Sequence, residues 1–260
     1  MPCEDLGVLI LDSPEIQLTQ ASLVAAADGG AAVILCGRDH HPSALLLPMF
    51  GNTTHTERLA DQISANAPLK KRLWQQIVKA KLLRQAMQLA KGEPARVKLL
   101  SLREGVRSGD TDNREAQGAR WYWPALFKDE KFRREREGLP PNNLLNYGYM
   151  VLRATVARAV CCAGLHPAIG LHHHHRENPF CLADDLMEPF RPMIDNRVAT
   201  LHFAGKKELD REAKEMLLGA LAETVTLKGG QGPLFVAAQK TAASLCACFS
   251  GEAGELDLPL

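Results

Sequence analysis

Residues 69–91 read LKKRLWQQIVKAKLLRQAMQLAK, and this stretch decides the fold class. Leu73, Ile77, Leu82, Leu83, Met87 and Leu89 fall on or near one face of an α-helix, with lysines and arginines elsewhere. Further helical stretches are expected over Asn113–Phe127, Asn142–Ala163, Leu182–Arg197, Glu208–Val225 and Leu234–Cys248. Pro140-Pro141 and the segment Gly164–Pro167 punctuate them. Upstream the pattern changes. Leu6–Leu11 and Ala31–Cys36 are apolar runs of strand length. A small-residue helix over Gln20–Asp28 lies between them, closed by Gly29-Gly30. Ser43–Pro48 is another short apolar run, and Gly51-Asn52-Thr53 ends the strand character. The chain therefore reads as α+β: a small N-terminal β domain, residues 1–52, then a larger all-α domain, residues 53–260.

No apolar run approaches the roughly 20 residues that span a bilayer, and the first residues lack a basic, cleavable secretory signal. A cytoplasmic protein with no membrane partner is expected. The seven cysteines include no CxxC pair, which excludes a zinc ribbon and a thioredoxin-like site and leaves reduced, buried thiols. Charge is unevenly spread. Between Arg58 and Arg103 eleven Lys or Arg face two acids, a net of +9 in a chain whose total is +1, so the remainder carries −8. A basic segment beside an acidic remainder suits a polyanion and a cation site in one molecule. Lys70, Lys71 and Arg72 head that segment as candidate DNA contacts.

Three places concentrate unusual polarity. In DNREAQGAR, residues 112–120, Glu115 opens a helix capped by Asp112 or Asn113. Singly it reads as a first-turn acid that complements the helix dipole. In GLHHHHRENPF, residues 170–180, four successive histidines cannot all face one way. They read as a polar loop, from which an imidazole could also approach an ion. In CLADDLMEPFRP, residues 181–192, Asp185 and Glu188 are three apart and share a helix face. Asp184 points about a hundred degrees round the same helix, toward solvent or a cap. Pro189 and Pro192 limit how regularly the helix continues. Two acids on one face beside apolar Leu182 and Leu186 call for a cation. Carboxylates with one imidazole form a hard ligand set that selects magnesium or manganese over zinc, and such an ion promotes in-line displacement at phosphorus.

The segments LGVLILDSPEIQLT, GAAVILCG, DNREAQGARWYW, NLLNYGYMVLRATVARAV, GLHPAIGLHHHH and FCLADDLMEPFRP, in this order across nearly the whole chain, resemble the CRISPR adaptation integrase ("Cas one") in its type II form. The resemblance implies an N-terminal β domain and a C-terminal helical domain carrying the active site. It implies one Mg2+ or Mn2+ held by Glu115, His173 and Glu188, with His172 and His174 as neighbouring alternatives to His173. Asp185 resembles an acid that supports the site. Arg120 and Arg191 are candidate phosphate contacts on chemical grounds. The reaction implied is attack of the 3′-hydroxyl of a captured double-stranded DNA fragment on phosphodiesters at the ends of a CRISPR repeat. Implied partners are a second copy in a homodimer, the small ferredoxin-like adaptation protein ("Cas two"), and the type II RNA-guided effector nuclease. Members of that family carry a segment before the stretch that begins here at Pro2, so a β domain without its opening strands is expected. The contrasting reading is a non-catalytic DNA-binding scaffold, which would have no need of Glu115, His173 and Glu188 together.

Overall fold

The computed structural model describes residues 2, 5–38, 40–48, 52–135 and 138–260. Gly51, read above as the end of strand character, lies outside them. The first elements are β1 (Val8–Leu11), α1 (Gln20–Asp28), β2 (Ala32–Cys36) and β3 (Pro42–Leu46). β1 pairs in parallel with β2, and β3 pairs antiparallel with β2 on its other side. Side chains alternate across a strand, so β2 splits its burial between two partners. Val33 packs under α1 with Ala26 and Ala31, while Ile34 sits on the opposite face. The sheet rests on helix α6 (Asn142–Cys162). Arg158 of α6 donates to the carbonyl of Gly30 and lies 4.5 Å over the ring of Phe235, pinning the sheet to the helices.

The helical part continues with α2 (His55–Ser64), α3 (Ala67–Gln88), α4 (Pro94–Glu104), α5 (Arg114–Phe127) and α6. It then runs through α7 (Cys181–Met187), a 3-10 turn Glu188–Phe190, α8 (Arg191–Phe203), α9 (Arg211–Leu218) and α10 (Leu234–Ser250). α6 is buried on all sides from Leu144 to Val160 save Asn146, Met150 and Arg153, as befits a helix at the centre of a core. α3 buries Leu73, Trp74, Ile77, Val78, Leu82 and Ala86. Each fully buried Leu or Ile contributes roughly 1.5–3 kcal/mol. Met87, expected on that face, is instead 46% exposed, and Trp74 takes the interior place.

Two further differences from expectation have local causes. The helix expected over Leu182–Arg197 is interrupted by the 3-10 turn, since Pro189 and Pro192 remove backbone donors there. The helix expected over Glu208–Val225 ends at Leu218 and gives way to a hairpin, β4 (Thr224–Leu227) with β5 (Gly230–Pro233). Val225 and Leu227 point inward while Thr224 and Thr226 are exposed, a period of two that a helix cannot satisfy. Among the described residues no helix is long and apolar enough to cross a membrane.

Candidate active site

Glu115 owes its position to the entry of α5. Asn113, in the left-handed region at φ 53°, accepts from the backbone N–H of Ala116 at 3.2 Å. Asp110 accepts from the N–H groups of Arg114 and Glu115 at 2.8 and 3.0 Å. Two side chains thus satisfy the free donors of one helix start. Gly118, one turn further on, lets α5 cross α3 closely: a Cβ there would lie 2.4 Å from Leu82 Cδ2. That approach brings Glu115 over α3.

The histidine run is held by two buried polar side chains. Gln62 of α2 donates to the carbonyls of His166 and Ile169 at 3.0 and 2.8 Å and accepts from the N–H of His166 at 2.8 Å. Asp185, fully buried, accepts from the N–H groups of Leu171, His172 and His173 at 2.6, 3.0 and 3.2 Å. His173 Nδ1 lies 2.6 Å from the same carboxylate, which leaves Nε2 as its remaining nitrogen. Gly170 admits this wrapping, since a Cβ would fall 2.3 Å from the carbonyl oxygen of His173. The hydrogen bond to Asp185 raises the His173 pKa against the pull of burial, and Glu188 and Glu115 raise it further. His172 goes elsewhere and stacks on Trp74 with ring centroids 4.3 Å apart. His174 Nδ1 lies 2.7 Å from the carbonyl of His172.

Glu188 sits in the 3-10 turn with its side chain 5% exposed, between two cations. Lys81 Nζ of α3 lies 2.5 Å from Glu188 Oε2 and 2.6 Å from Glu115 Oε1. Arg191 Nε lies 2.9 Å from Glu188 Oε1. Burial opposes each of these charges. Lys81, then Arg191 and His173, nevertheless hold the Glu115 carboxyl below its usual range. Glu188 and Glu115 likewise hold the buried ammonium of Lys81 above its ordinary value. The arrangement is a buried cation clasped by two carboxylates from separate helices, with an imidazole beside them.

Comparison with known proteins places this fold. The family described as CRISPR associated protein Cas1 matches residues 1–222. The chain is also 37% identical to the CRISPR-associated endonuclease Cas1 of Neisseria meningitidis serogroup C (strain 8013), covering all of this chain and 86% of that protein. The chain belongs to the Cas1 family. Among solved structures, a casposase bound to integration product superposes with TM-score 0.79 at 18% identity, covering 97% of this chain and 81% of that one. A chain of a Cas6-RT-Cas1–Cas2 complex gives TM-score 0.73 at 17% identity, covering 95% of this chain and 31% of that one. At such identities the two likenesses speak to the fold.

In this Cas1-family chain, Glu115 and Glu188 meet at Lys81, both acids act electrostatically on His173, and Asp185 holds the His173 ring. Among the described residues, no group of three or more His, Cys, Asp or Glu side chains is drawn together closely enough to hold a metal ion. The ammonium of Lys81 lies between the acids instead. Arg191 joins the site, whereas Arg120 is exposed on α5. Lys71 and Arg72 are exposed and Lys70 half-buried near the start of α3. Two readings of the acidic segment change. Asp185 does not share a cation with Glu188, because loop N–H groups take both its oxygens. Asp184 is buried rather than solvated, accepting from Arg153 at 2.6 and 3.0 Å and from Asn178 at 2.7 Å. Sequence reasoning missed Lys81, counted only as one basic residue among eleven. Its signal was position, one residue before Leu82 in the buried stripe.

Proposed function

We propose that this Cas1-family chain is a metal-dependent DNA endonuclease and integrase of CRISPR adaptation. The observation that carries the reading is the convergence of Glu115 and Glu188, from separate helices, on one buried cationic group. The donor types, two carboxylates and an imidazole, suit a divalent ion. Two carboxylates already meet at one positive centre, and His173 has Nδ1 engaged by Asp185 with Nε2 left over, the usual arrangement behind a metal-bound imidazole. Glu115, His173 and Glu188 would hold Mg2+ or Mn2+, hard ions suited to oxygen-rich sites. When bound, such an ion supplies Lewis-acid polarisation of the scissile phosphate.

In the reaction, the 3′-oxygen of a captured fragment forms a bond to phosphorus in the repeat array. The bond from that phosphorus to the array strand's 3′-oxygen breaks, and this oxygen leaves as a hydroxyl. Asp185 fixes the orientation of His173, and Arg191 offers a guanidinium at the edge of the site for phosphate oxygens. Lys70, Lys71, Arg72 and Arg120 grip the backbone, a contact that positions DNA without reading its sequence. We further propose a division near residue 52, a homodimer, and Cas2 as partner. Two solved structures of this fold, a casposase bound to integration product and a Cas6-RT-Cas1–Cas2 complex, support the DNA and Cas2 readings.

The test is manganese-dependent joining of a labelled duplex to a repeat-bearing plasmid. Glu115→Ala, His173→Ala and Glu188→Ala should each abolish joining while leaving the helical circular-dichroism spectrum intact. Joining by Glu188→Ala at the wild-type rate would overturn the assignment.

A further inference from the structure

A buried polar cluster lies two helical turns from the acids, and nothing in the chemistry above uses it. Asp195 of α8 is 1% exposed. Tyr122 of α5 donates its hydroxyl to Asp195 Oδ2 at 3.0 Å, and Tyr149 of α6 donates to Oδ1. Both tyrosines are buried.

The spacing ties this cluster to the site. Tyr122 is seven residues after Glu115 on α5, and Asp195 is seven after Glu188 on the continuing helical path into α8. Seven residues are close to two turns, so Glu115 and Tyr122 share a face of α5 about 10 Å apart, while Asp195 lies in α8, directly after the 3-10 turn of Glu188. The helices of Glu115 and Glu188 are therefore joined at two levels. At the lower level Lys81 bridges the acids. At the upper level Tyr122 and Asp195 bond directly.

A second route runs through Tyr149. The Arg191 guanidinium lies 4.5 Å over its ring, and Arg191 Nε is 2.9 Å from Glu188 Oε1. Where Asp195 holds Tyr149, Arg191 and Glu188 follow. Stability alone does not account for the group, since a buried carboxylate is costly and apolar residues of similar volume are often as stable or more so. Burial pushes the Asp195 pKa up to about 7, opposed by the two tyrosine hydroxyls and by Arg191 and Lys81. A carboxylate accepts from both hydroxyls, whereas an asparagine would turn an N–H donor toward one of them.

We propose that Asp195 is a positioning residue for the strand-transfer site. It acts through Tyr122 on the helix of Glu115, and through Tyr149 and Arg191 on Glu188. The inference rests on the function proposed above, and its test separates the two. Full-length wild type, Tyr122→Phe, Asp195→Asn and, as reference, Glu188→Ala are compared at a temperature where circular dichroism shows them folded. Mn2+ binding is read from the paramagnetic resonance signal of the free ion, and kcat and KM are measured for a DNA substrate. Tyr122→Phe and Asp195→Asn should each weaken Mn2+ binding by about tenfold. They should lower kcat by a similar factor and leave KM for DNA unchanged. Tyr122→Phe is the milder change and decides the matter if Asp195→Asn does not fold. Wild-type Mn2+ affinity and kcat in the folded variants, with both lost in Glu188→Ala, would make the cluster merely structural and overturn the proposal. A rise in KM alone overturns it as well. If Glu188→Ala itself binds and turns over like wild type, the site reading falls and takes the proposal with it, an outcome visible in that reference alone.

Discussion

Replacing Lys81 by Met removes one positive charge from a place where two carboxylates depend on it. The Lys81 side chain is 12% exposed, Glu188 5% and Glu115 26%, with the ammonium 2.5 and 2.6 Å from the two acids. Breaking a buried ion pair from one side costs about 3–5 kcal/mol, because the remaining charge is left uncompensated. Arg191 still faces Glu188 in the variant, and water screens part of Glu115, so the lower end of that range applies: about 3 kcal/mol near neutral pH. For a chain of this size, roughly 2–4 °C of Tm accompany each kcal/mol, which gives a fall of roughly 6–12 °C. The pH dependence follows from the shifts. Lys81 is raised above its ordinary 10.5, so its contribution is complete below that value and lost as pH rises through the higher folded one. Glu115 is lowered below its ordinary 4.5, so its contribution is complete above that value and lost as pH falls through the lower folded one. Without the ammonium Glu115 takes up a proton more readily. The deficit of Lys81→Met should be widest between about pH 6 and 9 and shrink as pH falls toward about 4. Thermal melts of both proteins across that range measure it. Equal Tm at neutral pH, or a deficit that widens on acidification, would refute the reasoning.

Other perturbations follow from the same geometry. Asp185→Asn loses the charge that three backbone N–H groups and His173 share, at about 1.5–3 kcal/mol. Amide hydrogen exchange at residues 171–173 should speed up, and unchanged protection there would speak against the carboxylate as the loop's anchor. Gly118→Ala places a Cβ 2.4 Å from Leu82 Cδ2 and 3.1 Å from Leu99 Cδ2. That overpacking should cost about 1–3 kcal/mol, read as a lower urea midpoint, and an unshifted midpoint would show that α5 is free to move off α3. Changing Lys70, Lys71 and Arg72 together to Gln should flatten the slope of log affinity for duplex DNA against log salt by about 2.7 if each neutralises one phosphate. An unaltered slope would take these residues off the DNA path.

The division between strands and helices was legible because both periods are written in apolar residues, as in Leu6–Leu11 and in Leu69–Lys91. The β4–β5 hairpin was not, although Val225 and Leu227 alternate with Thr224 and Thr226. Four residues are too few to break an apparent helical run when the partner strand is GQGP, which carries no apolar signal. At the site, Glu115, His173 and Glu188 were singled out because three polar clusters interrupt apolar segments and match a family pattern. The division of labour between Asp184 and Asp185 was hidden. Helical spacing says which way each points but not that Arg153 waits for one and a loop of N–H groups for the other. Lys81 and Asp195 were hidden for a related reason. Their partners lie on other helices, and no local period encodes a contact between helices.

The way the two acids meet has a consequence for a protein being made. Glu188 and His173 belong to neighbouring stretches of chain, tied together through Asp185. Glu115 comes to them only when α5 has crossed α3 at Gly118 and Lys81 has been enclosed. Secondary structure by itself brings no such meeting about. A nascent chain on the ribosome, or a collapsed one whose helices have formed but not docked, therefore carries every residue of the site without its geometry. Tertiary packing thus withholds the meeting of the two acids until folding is finished.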